Sequence, residues 1–322
     1  MKGVTFFGSE FAYLLILPLV YWCLDEKKGI DLGLTIIVSA WVNATLKVFL
    51  KQPRPFHLDP GVGIIREWGY GLPSGHAQMS LVLWVIIASW GKRRWFLGLG
   101  ILLSLLIGFS RLYLGVHFHT DILAGWVLGA LTLIVYFFSA RPIEALLVRG
   151  GLRAQLIASA ALALIMNTLH PEDITLGALT LGMGGGYALM VRHVGFSARD
   201  GFTGGKFRRA LVLALRCTLG ILGIVLIHTG LGNLLPQEAS SYYKLAWFCR
   251  YLLLGFWIVC GAPWLFLRLK LAYPRESRPD MPASGEAAEP GSPTDPDSPA
   301  DPGLPVDSAS PTDSGLPADR KG

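Results

Sequence analysis

Residues 110–138 read SRLYLGVHFHTDILAGWVLGALTLIVYFF. From residue 119 to 138 this run is apolar enough to cross a bilayer as a helix, because a hydrocarbon core roughly 30 Å thick needs about 20 such residues. Asp121 nevertheless lies inside it, with His117 four positions earlier and Arg111 before that. Ionisable groups at membrane depth are costly, so those that persist are functional candidates. On a helix His117 and Asp121 would share a face, and the carboxylate could accept a hydrogen bond from the imidazole. Such a bond fixes the tautomer and makes the other ring nitrogen more basic, as a nucleophile requires.

The rest of the chain has the same membrane character. Of its 322 residues, 52% are hydrophobic and only 16% charged, which points away from two soluble domains. Candidate spans lie near 11–24, 31–47, 76–91, 95–110, 119–138, 154–170, 175–191, 210–230 and 246–268. The expected fold is therefore all-α, a polytopic membrane bundle of about nine spans. The first span is the shortest; it is expected to be retained and not cleaved as a secretory signal.

A net charge of +6 raises the question of nucleic acid, but its placement answers differently. Basic residues gather at Lys92–Arg94, at Arg141, Arg149 and Arg153, between Arg192 and Arg209, and between Arg268 and Arg278. These clusters fall on alternate connections, the positive-inside pattern. The expectation is a multi-pass protein of the cell membrane, the inner one in a Gram-negative cell. Its amino terminus would be outside, its tail cytoplasmic, and it would have no nucleic-acid partner. The four cysteines, Cys23, Cys217, Cys249 and Cys260, lie in or beside apolar spans without metal-ligand spacing and read as small buried hydrophobes.

Every awkward polar cluster falls within the first part of the chain, so residues 1–140 are expected to form the catalytic core. Residues 141–273 read as accessory transmembrane helices, with Gly182, Gly184, Gly185 and Gly186 suited to close helix packing. Residues 274–322 are rich in Pro, Asp and Ser and are expected to be disordered.

Two further segments complete the candidate site. Lys47 begins the stretch Lys47-Val-Phe-Leu-Lys-Gln-Pro-Arg54-Pro55; alone it would be a snorkelling anchor at a helix end. Pro73-Ser74-Gly75-His76 precedes an apolar helix. Ser74 suits an N-cap, Gly75 lets backbone approach a ligand, and the helix start makes an anion site beside His76. If Lys92–Arg94 are cytoplasmic, then Lys47, Arg54, His76, Arg111 and His117 all fall at the outer face. Three cations, a helix start and two histidines there suit a phosphoryl dianion. No acidic cluster of the kind that holds magnesium accompanies them, so no cofactor and no metal are expected.

Lys47-x6-Arg54-Pro55, Pro73-Ser74-Gly75-His76 and Ser110-Arg111-x5-His117-x3-Asp121 resemble the three signature motifs of the type 2 phosphatidic acid phosphatase (PAP2) superfamily, which also holds vanadium haloperoxidases. With their flanking helices the motifs cover residues 11–138. The resemblance implies that His117 attacks phosphorus to form a phosphohistidine, with Asp121 orienting it. It also implies that His76 protonates the leaving oxygen and then serves as base toward water. Lys47, Arg54, Ser74, Gly75 and Arg111 would bind the phosphoryl group. His119, off the motif spacing, reads as interfacial or supporting.

Two spans before the first motif and about four after the core depart from many lipid phosphatases of this superfamily. They are more similar to the sphingosine-phosphate phosphatase and glucose-6-phosphatase branches. The implied function is a membrane phosphatase acting on a lipid phosphate or lipid diphosphate: phosphatidate, phosphatidylglycerol phosphate, a polyprenyl diphosphate or a sphingoid-base phosphate. The short link from Arg54 to Pro73 leaves little room for a large lid. Competing readings are a phosphatase of a soluble ester such as a sugar phosphate, a vanadate-dependent haloperoxidase, and a non-enzymatic transporter or lipid-binding protein on the same bundle.

Overall fold

The structure, a computed structural model, describes residues 1–199, 205–234 and 242–274. The expected disorder of the tail falls, beyond Pro274, outside the described residues. The chain folds into α1 (Lys2–Phe6), α2 (Glu10–Leu19), α3 (Glu26–Leu50), α4 (Pro55–Leu58), α5 (Gly75–Ser89), α6 (Trp95–Tyr113) and α7 (His119–Arg149). There follow α8 (Gly151–Leu169), α9 (Thr175–Leu189), α10 (Lys206–Val225), α11 (Leu231–Leu234), α12 (Tyr243–Phe256) and α13 (Ala262–Arg268). Single π-helical turns extend α2, α9 and α10 and join α12 to α13.

Helix limits follow local chemistry. Ser9 caps α2 by accepting from the Ala12 amide, and Asp25 caps α3 by accepting from the Lys28 amide at 2.9 Å. That cap starts α3 at Glu26, earlier than its apolar pattern suggests. α3 ends where Lys51 turns left-handed at φ 49°, ahead of Pro53.

Each predicted span is helical. Six segments are long and apolar enough to cross a membrane: Glu26–Leu58, Trp95–Tyr113, His119–Arg149, Gly151–Leu169, Lys206–Asn233 and Tyr243–Arg268. The α-helical parts of α2, α5 and α9 are shorter, at 10, 15 and 15 residues. α7 differs most from expectation. It continues past 138 through Arg141 and Pro142 to Arg149, about 46 Å at 1.5 Å per residue. A Lys27–Glu144 ion pair at 2.6 Å ties the extension to the start of α3.

α5 packs against α6 and α7, α9 packs against α8 and α12, and α3 touches both α5 and α9. One apolar core joins Tyr13, Leu32, Ile36, Leu83, Ile86 and Leu133. A second gathers Tyr21, Trp22, Met183, Phe196, Val259 and Phe266. The expected packing role of the glycine stretch is visible between α9 and its neighbours. A Cβ at Gly182 would stand 2.1 Å from the Leu252 carbonyl oxygen, and one at Gly184 would stand 2.3 Å from Ser159 Oγ. The outside is apolar too: Leu123, Val127, Leu131, Ile134 and Phe138 line an exposed face of α7. Water would penalise such a skin, whereas lipid makes it the natural contact surface. The chain is a multi-pass, all-α membrane protein.

Candidate active site

The eight candidate residues come from three segments of the sequence and meet at one end of the helices. Lys47 stands in the last turn of α3, Arg54 caps α4, Ser74 and Gly75 begin α5 with His76 next, Arg111 lies in the last turn of α6, and Asp121 in the first turn of α7. His117 lies in the connection before α7.

The His117–Asp121 pair forms, but not on a helix face. α7 begins only at His119, so Asp121 works as a cap. Its Oδ2 accepts from the Phe118 amide at 2.9 Å and contacts His117 Nδ1 at 3.2 Å. The cap fixes the carboxylate, and the carboxylate fixes the ring. On the ring's far side Arg54 Nη1 lies 3.2 Å from Nε2. Guanidinium only donates, so Nε2 accepts and Nδ1 carries the proton toward Asp121. Both side chains are almost fully buried. His117 is pushed down to about 4, chiefly by burial; the Asp121 hydrogen bond opposes this, and Arg54, Lys47 and Arg111 reinforce it. The imidazole is therefore neutral near pH 7, with its lone pair toward the cations.

A buried polar ladder sets the start of α5. Asn43 on α3 donates to Gln78 Oε1 at 2.8 Å, and Gln78 donates to Ser39 Oγ at 2.8 Å and to the Ser39 carbonyl. The Ser74 amide donates to the Asp121 carbonyl at 2.9 Å, joining α5 to α7. Ser74 holds the N-cap position, but its side chain makes no capping bond. Its Oγ, with Arg111 Nε, is buried without a hydrogen-bond partner among the described residues, which leaves these donors for a ligand. His76 lies within electrostatic reach of Arg111, Glu67, His117 and Lys47.

The cations are met by a segment that motif reading passed over. Lys47 Nζ donates to the Tyr70 carbonyl at 3.0 Å; Arg54 donates to the carbonyls of Gly69, Trp68 and Val116. Glu67 bridges Arg54, at 3.1 Å, and Arg111. Arg111 also donates to Thr5 Oγ1 on α1 at 2.9 Å. Asn43, Gln78, Glu67 and Thr5 were not singled out from sequence. The available signal for Glu67 was an acid in the short link between two basic motifs.

Beside His117 opens a cavity of about 510 Å³, lined by Pro55, Leu58, Val62, Leu112 and Phe118 with Asp59 and His119. Exposed Phe49, Leu58 and Trp68 surround this end of the molecule. Gly115 closes the floor at φ +67°, and a Cβ there would stand 2.2 Å from the Val62 carbonyl oxygen, so only glycine fits. Among the described residues, no group of three or more His, Cys, Asp and Glu could hold a metal ion.

Residues 28–142 match the PAP2 superfamily, and residues 174–274 match the PAP2 superfamily phosphatase transmembrane extension. Phosphatidylglycerophosphatase B of Bacillus subtilis is 30% identical over 145 residues, 41% of this chain and 69% of that protein. Undecaprenyl-diphosphatase of Sulfolobus acidocaldarius is 28% identical over 133 residues, 40% of this chain and 64% of that one. Sphingosine-1-phosphate phosphatase 1 of Rattus norvegicus is 28% identical over 142 residues, 41% of this chain but only 33% of its own length.

Proposed function

The chain belongs to the PAP2 superfamily, and on that premise we propose that it is an integral membrane phosphatase. Its substrate is a lipid phosphate or lipid diphosphate, cleaved through a phosphohistidine without a metal ion. One observation carries the reading: the neutral Nε2 of His117, oriented through Nδ1 by Asp121, faces a cluster of three cations. Lysine and two arginines supply the positive charge that the equatorial oxygens of a transferring phosphoryl group need.

The Nε2 lone pair forms a bond to phosphorus as the bond to the lipid oxygen breaks; those electrons leave on the oxygen, which takes a proton from His76, whose charged form the bound phosphoryl dianion favours. Water then attacks phosphorus and gives a proton back to His76, and the N–P electrons return to Nε2. Lys47, Arg54 and Arg111 hold the oxygens, with the Ser74 hydroxyl and the start of α5 at Gly75 completing the cradle. A lipid is favoured over a soluble ester because the cavity beside the nucleophile has apolar walls and the related proteins are named for lipid phosphates and diphosphates. The same site faces the outside of the cell, with Lys92–Arg94 and the tail in the cytoplasm, as the basic clusters suggest.

Purified protein offered lipid monophosphates, lipid diphosphates and sugar phosphates, with released phosphate measured, tests the reading. Release from one lipid class is expected. Release from sugar phosphates alone would transfer the protein to the soluble-ester reading, and vanadate-dependent halide oxidation without phosphate release would make it a peroxidase. A fluorescent protein fused after Gly322 should report the cytoplasm.

A further inference from the structure

Among the described residues, Glu67 is the one carboxylate that pairs with the cations of the site. Its Oε2 meets Arg54 Nη1 at 3.1 Å and its Oε1 meets Arg111 Nη2, so each oxygen takes one guanidinium. The two arginine side chains are 4% and 1% exposed, whereas that of Glu67 is 27% exposed and opens to solvent. Burial opposes its charge, but Arg111 first, then His76 and Arg54, outweigh it and hold the carboxyl below the usual range. It is thus an anion across the two cations that a phosphoryl group needs.

The backbone around it is separately anchored. Ile64 donates to the Leu114 carbonyl at 3.0 Å and Gly71 to the Gln52 carbonyl at 2.8 Å. Between them the Trp68, Gly69 and Tyr70 carbonyls rest on Arg54 and Lys47. The Glu67 side chain can therefore leave by rotating about its own bonds, without movement of the loop.

We infer that Glu67 is a built-in competitor for the phosphoryl seat, displaced when a doubly charged terminal phosphoryl group binds. This deepens the phosphatase reading and rests on it. A phosphodiester brings one charge and two free oxygens, the same as the carboxylate it must displace, and gains nothing in the exchange. A dianion brings a second charge and a third oxygen for Lys47 or the unpartnered Ser74 Oγ. An internal occupant lowers apparent affinity in proportion to the time it holds the seat, so occupancy near nine-tenths weakens every ligand about tenfold.

The test measures binding, by calorimetry on full-length protein in detergent, of inorganic phosphate and of dimethyl phosphate to the wild type, Glu67→Gln and Glu67→Asp. Removing the charge should tighten phosphate and dimethyl phosphate by the same factor, about tenfold, leaving the gap between them unchanged. Glu67→Asp, which keeps the charge, should stay closer to wild type, and thermal melting checks that all three chains are folded. Phosphate binding unchanged or weakened in folded Glu67→Gln would overturn the competitor role, and Glu67 would then be a scaffold for the arginines. Binding to none of the three chains would overturn the seat itself. Ester hydrolysis by the wild type is assayed separately: a chain that binds phosphate but hydrolyses nothing would refute the phosphatase reading and leave the competition intact.

Discussion

The carbonyl oxygen of Asp121 accepts the backbone amide of Ser74 at 2.9 Å, so the residue that orients the candidate nucleophile also anchors the helix start that would receive the phosphoryl group. The contact requires α5 and α7 to be nearly touching, and Gly125 permits it: a Cβ there would stand 2.5 Å from the Ser74 carbonyl oxygen. Gly125→Val should separate the two helices, lowering turnover at least about tenfold and destabilising the fold by roughly 1–3 kcal/mol, as overpacking does. Steady-state kinetics and detergent thermal melts read both. Wild-type kinetics in this variant would mean that the α5–α7 spacing does not matter to the site.

His117→Ala should abolish turnover and acid-labile labelling of the protein by ³²P-substrate while leaving the melt near wild type. Asp121→Asn keeps the shape of the cap but loses its charge and favours the wrong tautomer, a change that lowers kcat by about 10⁴ in a serine protease triad. A loss of at least about 100-fold is expected here. Full activity in His117→Ala would remove the nucleophile.

The acid behaviour of His117 follows from its surroundings. A free histidine takes up its proton near pH 6.5, whereas His117 does so at about 4. Between those values the folded protein keeps the ring neutral while the unfolded chain protonates it, so stability falls as pH drops through that window. ¹⁵N spectra of histidine-labelled protein without substrate should show His117 neutral at pH 5.5. An imidazolium signal at that pH would contradict the burial and charge pattern described above.

Adding a chelator should leave phosphate release largely intact, since Lys47, Arg54 and Arg111 provide the charge. Activity lost to the chelator and restored by magnesium would refute the metal-free chemistry.

The motif residues were legible because ionisable side chains stand out against apolar runs; Asp121 could not be explained as packing. The geometry that joins them was less so. A spacing of four between His117 and Asp121 suggested a shared helix face, yet the chain makes the pair across a helix cap, which spacing alone does not distinguish. The span expected over 119–138 runs on to Arg149, and the Lys27–Glu144 pairing at the far end of the bundle was invisible. Asn43 and Gln78 lie within apolar spans, and nothing in the sequence marks their mutual contact, which joins helices far apart along the chain. Glu67 resembled any solvated loop acid, and only the fold brings two arginines to it.

A single nitrogen of Arg54, Nη1, contacts both the Glu67 carboxylate and the lone pair of His117. On the proposed reading the resting protein is thus chemically quiet in two respects at once: the candidate nucleophile is tethered and the charges that would hold the phosphoryl group are neutralised. On that reading an anion that took over Arg54 would unlock both together, so readiness to react would arrive with the cargo and not before it.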